Sequence, residues 1–164
     1  MQEDLVSAIC KELVIQKDYV SNDEIKTIYF GGGTPSLLTQ DQLGNILNVI
    51  HKEYKVSKSP EITLEANPDD LSSQKLLTLK TSGVNRLSIG VQSFDNEVLR
   101  FLNRAHNANE AIGAIKKAQE IGLDNISIDL IYGIPDRTDL LWIEDINKAL
   151  ALNPKHISSY CLTI

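Results

Sequence analysis

Two hydrophobic periodicities alternate along this chain. Apolar residues spaced three to four apart predict helices over residues 3–17, 39–54, 70–81, 95–122 and 138–152, the fourth broken near 106–109. Runs rich in β-branched residues predict strands over residues 25–31 and in EITLEANP, VNRLSIGVQSF, NISIDLIYGIP and HISSYCLTI. Gly83 is predicted to cap the third helix at its C-terminus. Strands that alternate with helices indicate βαβ units and a parallel sheet of five strands.

Polar and apolar residues also alternate within single strands. In the third strand, apolar side chains at 87, 89 and 91 alternate with Ser88, Gly90 and Gln92. Strands covered on both faces are nearly all apolar, and a packed eight-stranded barrel is filled with Val, Ile and Leu. The pattern therefore predicts an open, curved sheet, a wide and incomplete barrel with all helices outside and a ligand in the lumen. The alternative is a flat sheet with one solvated face.

Polar residues cluster where the predicted strands end. Residues 31–34 (GGGT), Glu65 and Gln92 end or nearly end three successive strands, and Asp129 lies within the next. Functional groups gather at the C-terminal ends of barrel strands. Carboxylates and an amide accept hydrogen bonds from hydroxyl and ammonium groups, and glycines expose bare backbone. This set suits a polar zwitterion or a ribose, and Arg104 adds a clamp for a carboxylate.

Composition narrows the class of protein. The 164 residues fit one domain, and the net charge of −6 argues against a nucleic-acid or anionic-membrane surface. No apolar stretch approaches the roughly 18 residues of a transmembrane helix. The first residues, MQEDLVSAICKEL, do not read as a secretory signal, so a cytoplasmic location is expected. The two cysteines, Cys10 and Cys161, offer neither a disulfide framework nor a CxxC metal spacing.

Five motifs carry a resemblance to a known family: YFGGGTPSLL, LEANPDDL, GVNRLSIGVQSFDNEVLRFLNRAH, ISIDLIYGIPDRT and LNPKHISSYCLTI. Their order and spacing resemble the radical S-adenosylmethionine (SAM) proteins of the oxygen-independent coproporphyrinogen III oxidase group. GVQSF, LNRAH and SSYCLTI are most similar to the HemW haem-chaperone branch. The resemblance implies an α/β fold, a partial (β/α)6 radical-SAM-type barrel, here with five parallel strands, outer helices and the first strand missing. It implies a [4Fe–4S] cluster and SAM as cofactors.

The resemblance also implies the residues that contact the cofactor. In the family the glycine motif lies along the methionine part of SAM. Arg104 is expected to meet the methionine carboxylate, and Gln92 and Asp129 the ribose, while Glu65 meets either the ribose or the ammonium group. The complete expected set is Gly32, Gly33, Thr34, Glu65, Gln92, Arg104 and Asp129.

One departure from the family concerns the cluster. The family holds its [4Fe–4S] cluster with CxxxCxxC, and thiolates are the usual ligands of such clusters; this sequence has no such motif. Residues 1–164 are therefore expected to be a fragment of the core domain, without the cysteine loop and the C-terminal region. No metal site and no catalytic residue are predicted in this chain, Cys10 is expected to be a small core residue, and enzymatic activity is left open.

Three functions are compatible with the sequence. The favoured one is a haem chaperone that binds haem and SAM and passes haem to an acceptor protein. The runner-up is an oxygen-independent coproporphyrinogen III oxidase acting on a porphyrinogen. The third is an unrelated barrel enzyme with a phosphate-binding glycine loop. Such a loop is expected to have a Lys or Arg beside the glycines, and residues 31–40 contain neither. His106 and His156 are expected to be solvated rather than haem ligands, and Trp142 to pack its helix.

Overall fold

Five parallel strands form one sheet in the order in which they occur along the chain. The computed structural model describes residues 2–20 and 23–163. The strands are β1 (Ile25–Phe30), β2 (Val56–Ala66), β3 (Arg86–Gln92), β4 (Ile126–Tyr132) and β5 (His156–Cys161). The helices are α1 (Gln2–Ile15), α2 (Gln40–Glu53), α3 (Ser73–Thr81), α4 (Asn96–Phe101), α5 (Ala108–Glu120) and α6 (Asp139–Ala151). The sheet curls into a half-barrel, as the sequence predicts.

The apolar face of the sheet carries the core. Leu64, Leu87, Ile89, Ile126 and Ile128 are fully buried there and alternate with the polar residues of the same strands. The five longer helices all contribute side chains to this one cluster. Because a strand exposes successive side chains on opposite faces, the helices cover one face only. The prediction that they lie outside a curved sheet is confirmed.

Local sequence signals set the helix ends. Gly83 has a φ of +96° and follows α3. The amide of Gly83 donates to Lys80 O and that of Val84 donates to Leu79 O, both at 3.1 Å, which is the Schellman arrangement. The predicted C-terminal cap is therefore confirmed. The predicted break in the fourth helix is also confirmed, because α4 ends at Phe101 and α5 begins at Ala108.

Several boundaries differ from the sequence prediction: β5, for example, ends at Cys161, before the end of HISSYCLTI. Two of the differences, in β2 and α3, have a visible cause. Strand β2 begins at Val56, five residues before the predicted start at Glu61, and its pairing with β1 shifts register between Ile25 and Thr27. Pro60 conceals this extension because it lacks the N–H of a strand residue. Helix α3 begins at Ser73 rather than at 70, since Pro68–Asp70 forms a separate 3-10 turn.

The polar face of the sheet is partly closed by its own hydrogen bonds. Ser88 and Ser127 are buried, although they lie on the concave face. The Ser88 hydroxyl donates to Asp129 Oδ2 at 2.9 Å, and Ser127 Oγ lies 2.9 Å from His156 Nδ1. Open space on this face is therefore concentrated toward the C-terminal ends of the strands. Within residues 2–20 and 23–163, no helix is long and apolar enough to cross a membrane.

Candidate functional site

A cavity of about 290 Å³ opens on the concave face at the C-terminal ends of the strands. Its walls are mostly polar and come from strands β2 to β5, the loops after β1 and β2, and the loop between α4 and α5. Six of the seven residues predicted to contact a cofactor line it: Gly33, Thr34, Glu65, Gln92, Arg104 and Asp129. The seventh, Gly32, borders the adjoining apolar groove and is hydrogen-bonded to Glu65. The structure thus brings all seven together.

The three successive glycines after β1 meet two different requirements. Gly32 and Gly33 have φ values of +80° and +61°, which glycine adopts readily and L-residues rarely do. No atom lies within 4 Å of a Cβ placed on either of them, so the space above this backbone is open. Gly31 is different, because a Cβ there would lie 2.7 Å from the ring of Tyr29. The loop is therefore shaped for a close approach to its backbone.

Glu65 ties the glycine loop to the sheet. Its Oε1 accepts a hydrogen bond from the Tyr29 hydroxyl at 2.8 Å, and its Oε2 accepts from the Gly32 amide at 3.0 Å. Burial, together with the neighbouring Glu65 carboxylate, raises the pKa of Tyr29, so this phenol stays protonated as a donor. A carboxylate offers about four acceptor positions, and Glu65 therefore keeps acceptor capacity toward the cavity.

Arg104 reaches the cavity from the loop between α4 and α5. Its Nη2 donates to Asn67 Oδ1 at 2.6 Å and to Gly90 O at 3.3 Å. Among the described residues, Nε and Nη1 make no hydrogen bond, which leaves donors for a ligand. A guanidinium held at one nitrogen is well placed to bind a carboxylate.

Asp129 and Gln92 stand on neighbouring strands. Asp129 accepts from Ser88 Oγ at 2.9 Å through one oxygen and from Ser127 Oγ at 3.4 Å through the other. Gln92 ends β3 with a φ of +66°, and its side chain folds over Gly90. A Cβ on Gly90 would lie 2.8 Å from Gln92 Nε2, so only glycine allows this position of the amide.

Two buried residues near the site were not found from the sequence. His106 was predicted to be solvated, and this is wrong: it is 3% exposed and its Nε2 lies 3.1 Å from Val91 O. Asp145 is 7% exposed and accepts from Ser93 Oγ and the Phe94 amide. The signal for Asp145 was its spacing from Trp142 and Ala149, which puts a carboxylate on the buried stripe of α6.

The other predicted side chains are placed as follows. His156 is exposed, as predicted. Trp142 packs its helix against the core and contacts Tyr132 at a ring-centroid distance of 5.5 Å. Cys10 packs against the core from α1, as predicted, while Cys161 is exposed on β5, at the opposite edge of the sheet.

The residues of this chain do not fit a [4Fe–4S] cluster. Such a cluster is usually held by several thiolates, and the sequence has two cysteines, on α1 and on β5. Over the described ranges, no group of three or more His, Cys, Asp or Glu side chains is placed to hold a metal ion. The polar cavity, by contrast, has donors and acceptors suited to an organic zwitterion.

Comparison with known proteins defines the family. The model of the radical SAM superfamily matches residues 9–149. The chain belongs to the radical SAM superfamily. It is 39% identical to the haem chaperone HemW of Bacillus subtilis over 99% of this chain, and 39% identical to HemW of Escherichia coli over the same share. The resemblance predicted from the motifs is confirmed.

The chain also resembles a solved structure in this superfamily. It superposes on coproporphyrinogen III oxidase HemN of Escherichia coli, a radical SAM enzyme, with a TM-score of 0.87 and 28% identity. The match covers 98% of this chain and 37% of HemN. The chain spans 43% of the length of each of the two HemW relatives. SAM and a [4Fe–4S] cluster are the cofactors associated with the radical SAM superfamily.

Proposed function

We propose that this chain is the SAM-binding core of a HemW-like haem chaperone. The observation that carries the proposal is the convergence of six predicted cofactor residues on one cavity at the C-terminal ends of the strands. The identity of 39% to two haem chaperones over nearly the whole chain supports the assignment to that branch.

The charge of the cavity suits the cofactor. Glu65, Asp129 and Arg104 give the lining a formal charge of −1, from two carboxylates and one guanidinium. SAM carries a sulfonium, an ammonium and a carboxylate, and hence one net positive charge. Opposite charges in a partly buried site attract with little screening. A phosphate ligand would be repelled by the same lining, so the phosphate-binding alternative is disfavoured.

Each group then has a defined task. Arg104 holds the methionine carboxylate with its Nε and Nη1 donors, because Nη2 already donates to Asn67 and Gly90. The open backbone of Gly32, Gly33 and Thr34 lies along the methionine chain. Gln92 and Asp129 receive the ribose hydroxyls. Glu65 stands beside the glycine loop and accepts from the ammonium group or the ribose.

The proposal includes the extent of the protein. Reductive cleavage of a carbon–sulfur bond of SAM would need a [4Fe–4S] cluster, and residues 1–164 contain no CxxxCxxC motif to hold one. We therefore place the ligands outside residues 1–164, which form a fragment of the core domain of a longer protein. The share of 43% of the relatives' length agrees with this. We also propose that the protein is located in the cytoplasm.

Haem is the proposed cargo, and a haem-accepting protein the proposed partner. Both are proposed from the resemblance of this chain to haem chaperones. A coproporphyrinogen III oxidase acting on a porphyrinogen is the second candidate, since HemN shares the fold at a TM-score of 0.87. Its identity of 28% is lower than that of the haem chaperones, so it ranks second.

Titration calorimetry with SAM and absorbance titration with haem test the proposal. We expect Asp129→Asn to weaken SAM binding, whereas Asp124→Asn, which changes an exposed carboxylate outside the cavity, leaves it unaltered. Haem is expected to bind, and coproporphyrinogen to bind less well. Equal SAM affinity in both variants would contradict the site, and a preference for coproporphyrinogen would favour the second candidate.

A further inference from the structure

The strand that carries Gln92 ends in an unusual turn. The Ser93 amide donates to Val91 O at 2.9 Å, across a single intervening residue, and that residue, Gln92, has a φ of +66°. This is a γ-turn with a left-handed central residue, a rare and strained form. A residue other than glycine or asparagine keeps this conformation only where its surroundings enforce it. Something in the fold must therefore hold the turn.

On its C-terminal side the turn is held by Asp145 of α6. Asp145 Oδ2 accepts from Ser93 Oγ at 2.5 Å, and Oδ1 accepts from the Phe94 amide at 2.8 Å. Ser93 is completely buried and Asp145 nearly so. A carboxylate that accepts two hydrogen bonds away from solvent fixes the two residues that follow Gln92.

On its N-terminal side the turn is held by His106. Its Nε2 lies 3.1 Å from Val91 O, the same carbonyl that closes the turn. Because a carbonyl can only accept, Nε2 carries the hydrogen. His106 is buried, and its other nitrogen lies 3.5 Å from Asp69 Oδ1. Two buried side chains from distant parts of the chain thus hold the turn at both ends.

We propose that Asp145 and His106 are positioning residues that hold the γ-turn at Gln92 and so set the Gln92 amide in the SAM cavity. Neither side chain lines that cavity; each acts through the backbone next to Gln92. The inference rests on the proposed function only for the identity of the ligand. The hydrogen bonds by which Asp145 and His106 hold the turn, here called the clamp, exist in the chain without ligand. The two parts are therefore tested separately.

Amide hydrogen exchange of the ligand-free chain tests the clamp. Asp145→Ala is expected to speed exchange of the Phe94 amide about tenfold or more, because a hydrogen bond to a charged group is lost. The Leu64 amide, within the sheet, serves as the internal reference. Asp145→Asn keeps an acceptor for the Phe94 amide and is expected to restore part of the protection. His106→Leu removes the donor to Val91 and should loosen Ser93, whereas His106→Gln offers a donor again.

The matched control is Glu144→Gln, which changes an exposed carboxylate on the same helix. It is expected to alter exchange at neither Ser93 nor Phe94. The side-chain amide resonances of Gln92 should shift in Asp145→Ala and stay in place in the control. Unchanged exchange at Ser93 and Phe94, with unmoved Gln92 resonances, would overturn the clamp.

A double-mutant cycle tests the action through Gln92. Asp145→Asn is expected to weaken SAM binding about two- to tenfold, the worth of one neutral hydrogen bond. In a Gln92→Ala background the same substitution should cause no further loss, because the group being positioned is gone. An equal loss in both backgrounds would show that Asp145 acts otherwise and would overturn the positioning role. If no form of the chain binds SAM while the exchange results hold, the proposed function fails and the clamp stands.

Discussion

Arg104 faces the cavity with two of its three guanidinium nitrogens uncommitted among the residues described. Its Nη2 is anchored by Asn67 and Gly90, which fixes the plane of the group. Arginine binds carboxylates in a bidentate manner that lysine cannot reproduce. Among the side chains that line the cavity, Arg104 is therefore expected to contribute most to binding a carboxylate.

Arg104→Ala is expected to weaken SAM binding by about ten- to 150-fold, since charge-assisted bonds of roughly 1.5–3 kcal/mol are lost. Arg104→Lys keeps the charge without the fork and should recover only part of the affinity. Calorimetric titration of both variants measures the difference. An unchanged affinity in Arg104→Ala would remove Arg104 from the site.

Gly90 gives a second prediction at this scale. A methyl group there would lie 2.8 Å from Gln92 Nε2, which is the mobile end of a side chain and can move away. Gly90→Ala is therefore expected to displace the Gln92 amide and weaken SAM binding, while thermal unfolding shows little change. A large fall in Tm with unaltered SAM affinity would show that the added methyl group disturbs strand β3 and not the Gln92 amide.

Helix α6 packs against the core, and its Asp145 accepts hydrogen bonds from the two residues that follow β3. Burial raises the pKa of this carboxyl, although Ser93 and Phe94 donate to it. A native state that binds the proton more tightly than the unfolded chain loses stability as the pH rises from the pKa of the unfolded chain to that of the folded chain. The helix thus carries a pH-dependent contribution to the free energy of unfolding.

Asp145→Asn cannot titrate at this position. The difference in unfolding free energy between wild type and variant should therefore fall as the pH rises from about 4, the ordinary value of an aspartate, toward the raised value. Urea unfolding over a pH series, with Glu144→Gln as the exposed control, measures it. A difference that grows with pH would mean that the pKa is lowered instead.

The helices themselves contain two glycines with room for a side chain. Nothing lies within 4 Å of a Cβ placed on Gly44 in α2 or on Gly113 in α5. Replacing either glycine by alanine is expected to raise the free energy of unfolding by up to about 1 kcal/mol. Denaturant unfolding of each variant measures the gain, and a loss at either position would show that the helix needs the glycine there.

At the scale of the whole molecule, the sequence predicts the order of elements and most of the site. Periodicity located every strand and longer helix, and the family motifs located seven residues that the fold brings together. The early start of β2 was missed because Pro60 hides it. The γ-turn at Gln92 was missed because a left-handed φ leaves no mark on the local pattern. The position of Asp145 on the apolar stripe of α6 signals that it is buried, but not that its partner Ser93 lies 52 residues away.

The cysteine content leads to a prediction for the whole chain. With two cysteines, Cys10 on α1 and Cys161 on β5, anaerobic reconstitution with iron and sulfide is expected to leave the chain colourless. The absorbance spectrum after desalting measures it. A stoichiometric iron–sulfur band would show that these residues, alone or from two chains, hold a cluster.

We propose that the cavity on the concave face, together with the adjoining Gly32, binds SAM through the seven residues named. Titration of the ¹⁵N-labelled chain with SAM, followed by the backbone and side-chain amide resonances, tests it most directly. We expect saturable shifts at residues 32–34, Glu65, Gln92, Arg104 and Asp129, with the amides at the other end of the strands, such as Asn125, unmoved. Shifts confined to another surface, or none at millimolar SAM, would contradict the account.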